Sequence, residues 1–199
     1  DNHLPYLVDL DAPVIVSIAG ENQADYVGIA KRLDACAGVA ALELNISCPN
    51  VAHGVDFGSN PELCEQVVRD VRENCALPVL TKLTPNVTNI VELAAAAAAG
   101  GTDAVCLTNT LLGMAVNWRK QRPLLGNNVG GLSGPAIKPV SLRCVYQVAQ
   151  AVDIPIVGIG GIATIDDCME FFVAGASAIQ IGTANYYDPT ITMKILDEL

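Results

Sequence analysis

The chain has 199 residues, 51% of them hydrophobic, with a mean hydropathy of +0.39, which suits one domain with ample material for a buried core and excludes a disordered chain. A formal net charge of −10 and a pI near 4.4 repel phosphate backbones and anionic lipid heads, so neither nucleic acid nor a membrane surface is expected as a partner. Small molecules and protein partners remain.

The elements follow from the pattern of apolar runs. Residues 13–19 form a short β-rich run, followed by helical spacing over 23–36 and a second apolar run over 40–46. A helix is expected at 61–75, a strand at 78–83 and a helix at 87–99, whose alanine run at 94–99 favours helix and suits close packing against a sheet. The strand at 104–109 leads into residues 111–134, a long stretch punctuated by Gly113, Pro123, Gly126, Gly130, Gly131 and Gly134 and read as a functional or mobile loop. Helix 137–152, strand 155–160, helix 165–174, strand 178–182 and a helical pattern over 190–199 complete the chain. Gly100, Gly101 and Gly175 stop two of the helices. The chain opens on Asp1 and ends inside a helical pattern, so the expectation is a fragment.

Six mostly apolar runs alternating with helices read as buried parallel strands of an α/β fold. They fit either an open doubly wound sheet or most of a (β/α)8 TIM barrel. Polar residues or glycines stand at nearly every strand end: Ser17, Asn45 with Cys48, Lys82, Asn109, Gly160-Gly161 and Gly182-Thr183. A barrel gathers all such ends at one mouth, whereas an open sheet uses mainly its switch point. The expected fold is therefore an incomplete barrel domain over 1–199, with about six of the eight units.

No run approaches the ~20 apolar residues of a membrane span, and no signal-peptide pattern opens the chain. The most apolar stretch, 91–99, contains Glu92 and stops at Gly100-Gly101. Seven cysteines (36, 48, 64, 75, 106, 144, 168) occur without a C-x-x-C pair, which disfavours zinc, iron-sulfur ligation and a disulfide framework. No metal is expected, and a reducing cytoplasm is the simplest location.

The glycine clusters after the last two strands, Gly158-Ile159-Gly160-Gly161 and Ile181-Gly182-Thr183, suit a phosphate, because glycine lets backbone N–H groups approach it closely. Tight turns are the plainer alternative. Lys82, charged in an apolar strand, should meet an anion or a strong acceptor near the mouth. Asn45, Asn50 and Asn109 offer amides that donate and accept at once, as a heterocycle edged with carbonyls and N–H groups requires, although asparagine is also a common turn residue. Cys48 follows a strand and precedes the glycine-punctuated loop 51–58; a thiol with a reference pKa of ~8.5 becomes a workable base where the site is electropositive. His53 in that loop reads as a solvated residue, with a proton shuttle as the alternative.

Taken together, Leu44-Asn45-Ile46-Ser47-Cys48-Pro49-Asn50-Val51, Lys82-Leu83-Thr84-Pro85-Asn86, Thr108-Asn109-Thr110-Leu111-Leu112-Gly113, Gly130-Gly131-Leu132-Ser133-Gly134-Pro135-Ala136, Gly158 to Gly161, and Gly175-Ala176-Ser177-Ala178 with Gly182-Thr183 resemble the class 1 dihydroorotate dehydrogenases, in order from about Pro13 to the end. The wording around Cys48, with His53-Gly54 and Phe57-Gly58 following, is similar to the B type, which passes electrons to NAD through a second subunit. Class 2 enzymes carry serine at the Cys48 position, which argues against a quinone-linked membrane enzyme. An A-type, fumarate-linked dehydrogenase, the barrel domain of a dihydropyrimidine dehydrogenase and a non-catalytic phosphate-binding barrel are the alternatives.

The resemblance implies that Cys48 removes the C5 proton of dihydroorotate while a hydride leaves C6 for N5 of FMN, giving orotate. It implies substrate contacts from Asn45, Asn50, Asn109 and Thr110. The FMN site would comprise Ser17, Asn45, Lys82, Thr108, Gly134, Gly160, Gly161, Gly182 and Thr183, with Lys82 beside the flavin ring and the last four holding the phosphate. FAD and an iron-sulfur cluster belong, on this resemblance, to a partner electron-transfer subunit, in a homodimer or heterotetramer. The family's first two strands have no counterpart before Asp1, so the 199-residue chain by itself is expected to bind FMN poorly and to be inactive.

Overall fold

The computed structural model describes residues 3–47 and 57–199. A short helix α1 (Leu4–Asp9) precedes β1 (Val14–Ile18), α2 (Gln23–Asp34), β2 (Val39–Asn45), α3 (Pro61–Glu73), β3 (Val79–Leu83), α4 (Ile90–Ala99) and β4 (Ala104–Leu107). Four short strands follow, β5 (Leu111–Gly113), β6 (Val116–Asn117), β7 (Arg122–Pro123) and β8 (Gly130–Leu132). Then come a 3-10 turn (Pro135–Ile137), α5 (Lys138–Ala149), β9 (Ile156–Ile159), α6 (Ile165–Ala174), β10 (Ala178–Gln180), α7 (Ala184–Tyr187) and α8 (Ile191–Glu198).

Helix starts are set by side-chain caps. Asn60 Oδ1 accepts from the N–H groups of Glu62 and Leu63 at 2.9 and 3.2 Å, and Thr164 with Asp167 forms a reciprocal capping box at α6. Asn89 caps α4 by accepting from Val91 N–H, and so the helix begins at Ile90 rather than at residue 87. α1 and α7 escaped the sequence reading, since six and four residues carry too little periodicity to register.

Six strands form one parallel sheet in the order β1-β2-β3-β4-β9-β10. A doubly wound sheet reverses its order at a switch point; this order never reverses, as in a barrel. The sheet also curls. Glu43 on β2 accepts a hydrogen bond from Gln180 on β10 at 2.9 Å, although four ladder steps of about 4.8 Å would hold these strands ~19 Å apart in a flat sheet. The structure is thus the incomplete barrel expected, with β1 and β10 as the sheet's outer strands among the described residues.

Helices cover the outer face. Val67, Val68 and Val71 of α3, Leu93, Ala94 and Ala97 of α4, Cys144, Val145 and Val148 of α5, and Phe171 of α6 are buried in one core with Leu42, Leu44, Val79, Leu83, Val105 and Leu107 of the strands. The alanine run does what small residues permit: α4 ends against α3 so closely that a Cβ on Gly100 would lie 2.7 Å from Glu65 O and 2.8 Å from Val68 Cβ. Residues 111–134 are more ordered than a loop. They form two antiparallel ribbons, β5 with β8 and β6 with β7, whose two- and three-residue strands are too short to show a period.

Gly100→Ala should therefore cost about 1–3 kcal/mol of overpacking. Gly28→Ala in α2, where an added Cβ meets nothing within 4 Å, should be neutral or gain up to ~1 kcal/mol of helix propensity. Urea unfolding of the two variants checks this; equal midpoints would contradict the close α3–α4 contact.

Candidate functional site

A cavity of about 330 Å³ opens at the C-terminal ends of β3, β4, β9 and β10. Lys82 of β3 and the residues just past β4, Thr108, Asn109 and Thr110, form one side. Gly134, Gly160, Gly161, Gly182 and Thr183 form the other. Nine of the residues expected at the site thus share one cavity, because the curl of the sheet turns its strand ends toward a common mouth.

The glycine wall depends on backbone that side chains resist. Gly134, Gly160 and Gly161 have φ of +86°, +133° and +81°, and a Cβ on Gly160 would sit 2.1 Å from Ser141 Oγ. A Cβ on Gly182 would meet nothing within 4 Å, so the wall there borders open space. Ser141 of α5 in turn pairs with the buried Thr108 hydroxyl at 2.9 Å, tying the first turn after β4 to α5.

The amide cluster is built at the ends of β2 and β4. Asn109 Nδ2 donates to Asn45 Oδ1 at 3.0 Å and to Ser47 Oγ at 2.7 Å, while Asn109 Oδ1 accepts from Thr110 N–H at 2.8 Å. Tyr26 of α2 donates its hydroxyl to Asn45 O at 2.9 Å and meets Phe57 edge to face at 5.8 Å. Asn45 thereby joins the cavity through Asn109. Cys48, Asn50 and His53 lie outside the described residues.

Behind Lys82 stands a group the sequence reading missed. Glu43, 4% exposed, accepts from Ser17 Oγ at 2.8 Å, from Lys82 Nζ at 3.3 Å and from Gln180 Nε2 at 2.9 Å. Burial by itself raises its pKa, but the Lys82 charge and the hydrogen bonds from Gln180, Ser17 and Lys82 outweigh that and hold the carboxyl below its usual range. Ser17, at the end of β1, thus ties that strand to Glu43. The acceptor expected for Lys82 is Glu43; a lone acid in the apolar run 39–44 could have been flagged by the reasoning applied to Lys82.

The buried thiols among the described residues are poor bases. Burial, with help from the Glu65 charge, pushes Cys64 up to about 12. Burial and then the Glu43 charge push Cys106 higher still, and burial also raises Cys75, Cys144 and Cys168. Cys36 is exposed just past the end of α2, with its Sγ directed at Arg32 O. Among the described residues no three His, Cys, Asp or Glu side chains converge as a metal site, and no helix is long and apolar enough to cross a membrane.

A parallel, curled α/β sheet with a glycine-walled cavity at its C-terminal strand ends defines a protein of the (β/α)8-barrel class. The dihydroorotate dehydrogenase family model matches residues 2–199, and the chain belongs to that family. It is 50% identical over 200 aligned residues to the dihydroorotate dehydrogenase B (NAD(+)) catalytic subunit of Bacillus thuringiensis (strain Al Hakam), covering 100% of this chain and 65% of that protein. The subunits of the same name from Bacillus cytotoxicus and Bacillus mycoides (strain KBAB4) are also 50% identical, with 64% and 65% of their lengths covered. The chain thus spans a little under two thirds of the length of the curated relatives it matches.

A depressed carboxylate pKa fixes the sign of one pH effect. The unfolded value is ~4.3. Stability contributed by Glu43 is complete above that pH and is lost as pH falls through the lower folded value. Urea midpoints of the unaltered chain should drop more steeply through this acid window than those of Glu43→Gln; parallel curves would show that the carboxylate is not held as described.

Proposed function

We propose that this chain provides most of the FMN and substrate site of an enzyme that oxidises dihydroorotate to orotate in pyrimidine biosynthesis. The observation that carries the reading is the single cavity joining a glycine wall, a cationic lysine and an amide cluster. The donor set fits FMN: glycines of left-handed φ suit a phosphate, and Lys82 supplies a cation where negative charge would develop on the ring. Gly160, Gly161, Gly182 and Thr183 hold the phosphate on this reading. Thr108 and Gly134 flank it, and Ser17 supports Lys82 from β1 through Glu43.

FMN, when bound, would supply the acceptor for the hydride that leaves C6 of dihydroorotate. Asn45, Asn50, Asn109 and Thr110 orient the substrate through its carbonyl and N–H edges. Cys48 takes the C5 proton as a thiolate, so that the C5–H electron pair becomes the new ring double bond as the hydride departs. Support for Cys48 comes from two sides: it follows Ser47, whose hydroxyl is bound to Asn109, and five of the other six thiols are buried and held protonated.

The relatives' description as NAD(+) catalytic subunits supports onward transfer to NAD through a second subunit, which on this reading is cytoplasmic and carries FAD and an iron-sulfur cluster. The ribbon over 111–132 exposes Leu112, Met114, Val116, Trp118 and Leu124, with Arg119 lying 4.5 Å over the Trp118 ring. Such a patch suits a protein interface, and on this reading it is the contact between catalytic subunits in a homodimer or heterotetramer.

In the intact protein, Cys48→Ala should keep its FMN absorbance while dihydroorotate-driven flavin bleaching slows by about 10²–10⁴-fold. Unchanged bleaching would sink the assignment, and turnover with fumarate but not NAD would favour the A type. Trp118→Glu should shift the sedimentation coefficient from dimer to monomer with FMN retained; an unshifted dimer would place the contact elsewhere.

A further inference from the structure

Lys82 borders the cavity, whereas Glu43 sits one layer behind it. Their side chains are 17% and 5% exposed, and among the described residues Glu43 is the acceptor within hydrogen-bond distance of the Lys82 ammonium. The carboxylate itself is clamped. Ser17 from β1 and Lys82 from β3 share one of its oxygens, and Gln180 from β10 takes the other, so it has no freedom to swing away. A lysine has a flexible four-carbon stem and a compact charge, and its head goes where its acceptor is fixed.

We infer that Glu43 is a positioning residue for Lys82: its clamped carboxylate holds the ammonium at the cavity floor and offsets part of its charge, so that a bound ligand meets an attenuated cation. The inference rests on the FMN reading above and goes beyond it, because it assigns the strength of the Lys82 field to a residue that touches no ligand. An ion pair acts on a neighbour a few ångströms away as a dipole rather than as a full unit charge. Removing the carboxylate therefore exposes the flavin ring to a stronger cation, which favours its electron-rich form.

The test is a double-mutant cycle read out as the flavin midpoint potential of the intact, FMN-loaded protein. Glu43→Gln should move the potential positive by a step equal to at least a tenfold change in the reduction equilibrium, ~30 mV for two electrons. Lys82→Met should move it negative, and in that background the Glu43→Gln step should shrink, since only the carboxylate's own weaker field on the ring is then lost and no lysine is released. Gln180→Leu leaves both charges in place but loosens the carboxylate; it should give a smaller positive step and serves if Glu43→Gln does not fold. A cofactor-free arm follows thermal unfolding. There Lys82→Met should be less stable than the double variant, since it alone leaves a buried carboxylate without its cation. FMN-loaded Glu43→Gln and Gln180→Leu with unaltered potentials, or a Glu43→Gln step that persists undiminished when Lys82 is absent, would overturn this inference alone. An intact protein that holds no FMN would overturn the cofactor reading and this inference with it.

Discussion

A carboxylate buried inside a sheet has to be surrounded by donors, and the way Glu43 meets that requirement shapes the rest of this protein. Desolvating a single carboxylate costs several kcal/mol even after relaxation, so the charge persists only with good partners. Two of those partners come from the flanking strands β1 and β3, and the third from β10, which a flat sheet would keep ~19 Å from β2. Satisfying Glu43 and curling the sheet are thus one event. The curl in turn brings the ends of β3, β4, β9 and β10 to a common cavity.

Around that centre the mouth is assembled from short-range devices with long-range consequences. Glycines at 134, 160 and 161 adopt backbone that other residues resist, and the space a Cβ on Gly160 would need is occupied by the Ser141 hydroxyl, which instead binds Thr108. On the opposite side, Asn109 ties the end of β4 to the end of β2 through Asn45 and Ser47. Each wall therefore joins elements that are distant in sequence.

Membership of the dihydroorotate dehydrogenase family gives this geometry its chemical setting. The arrangement suits that setting on physical grounds: glycine backbone for a phosphate, a cation where negative charge develops, and paired amides for a flat heterocycle. The buried cysteines also make sense as packing. Cys64, Cys106 and Cys144 fill the core as small apolar groups, and their burial keeps them from acting as bases.

Much of the fold was legible before any coordinates. Apolar runs between glycines and prolines marked all six strands of the parallel sheet, and alternation with helical spacing marked the α/β class. Helix α6 fell at 165–174 as expected, because Thr164 and Gly175 cap it locally. Lys82 and the late glycines stood out at strand ends because charge and glycine are costly inside apolar strands without a reason. The ribbons of 111–134 and the short α1 and α7 were invisible, since two to six residues cannot display a period. By itself, then, the sequence determined which segments are strands and helices and which residues stand at the strand ends, properties that local propensity and spacing encode. Only the tertiary structure decided that the sheet curls, that Ser17 binds Glu43, and that Glu43 and Gln180 share a bond across 137 residues of chain, because such contacts exist only once the strands are in place.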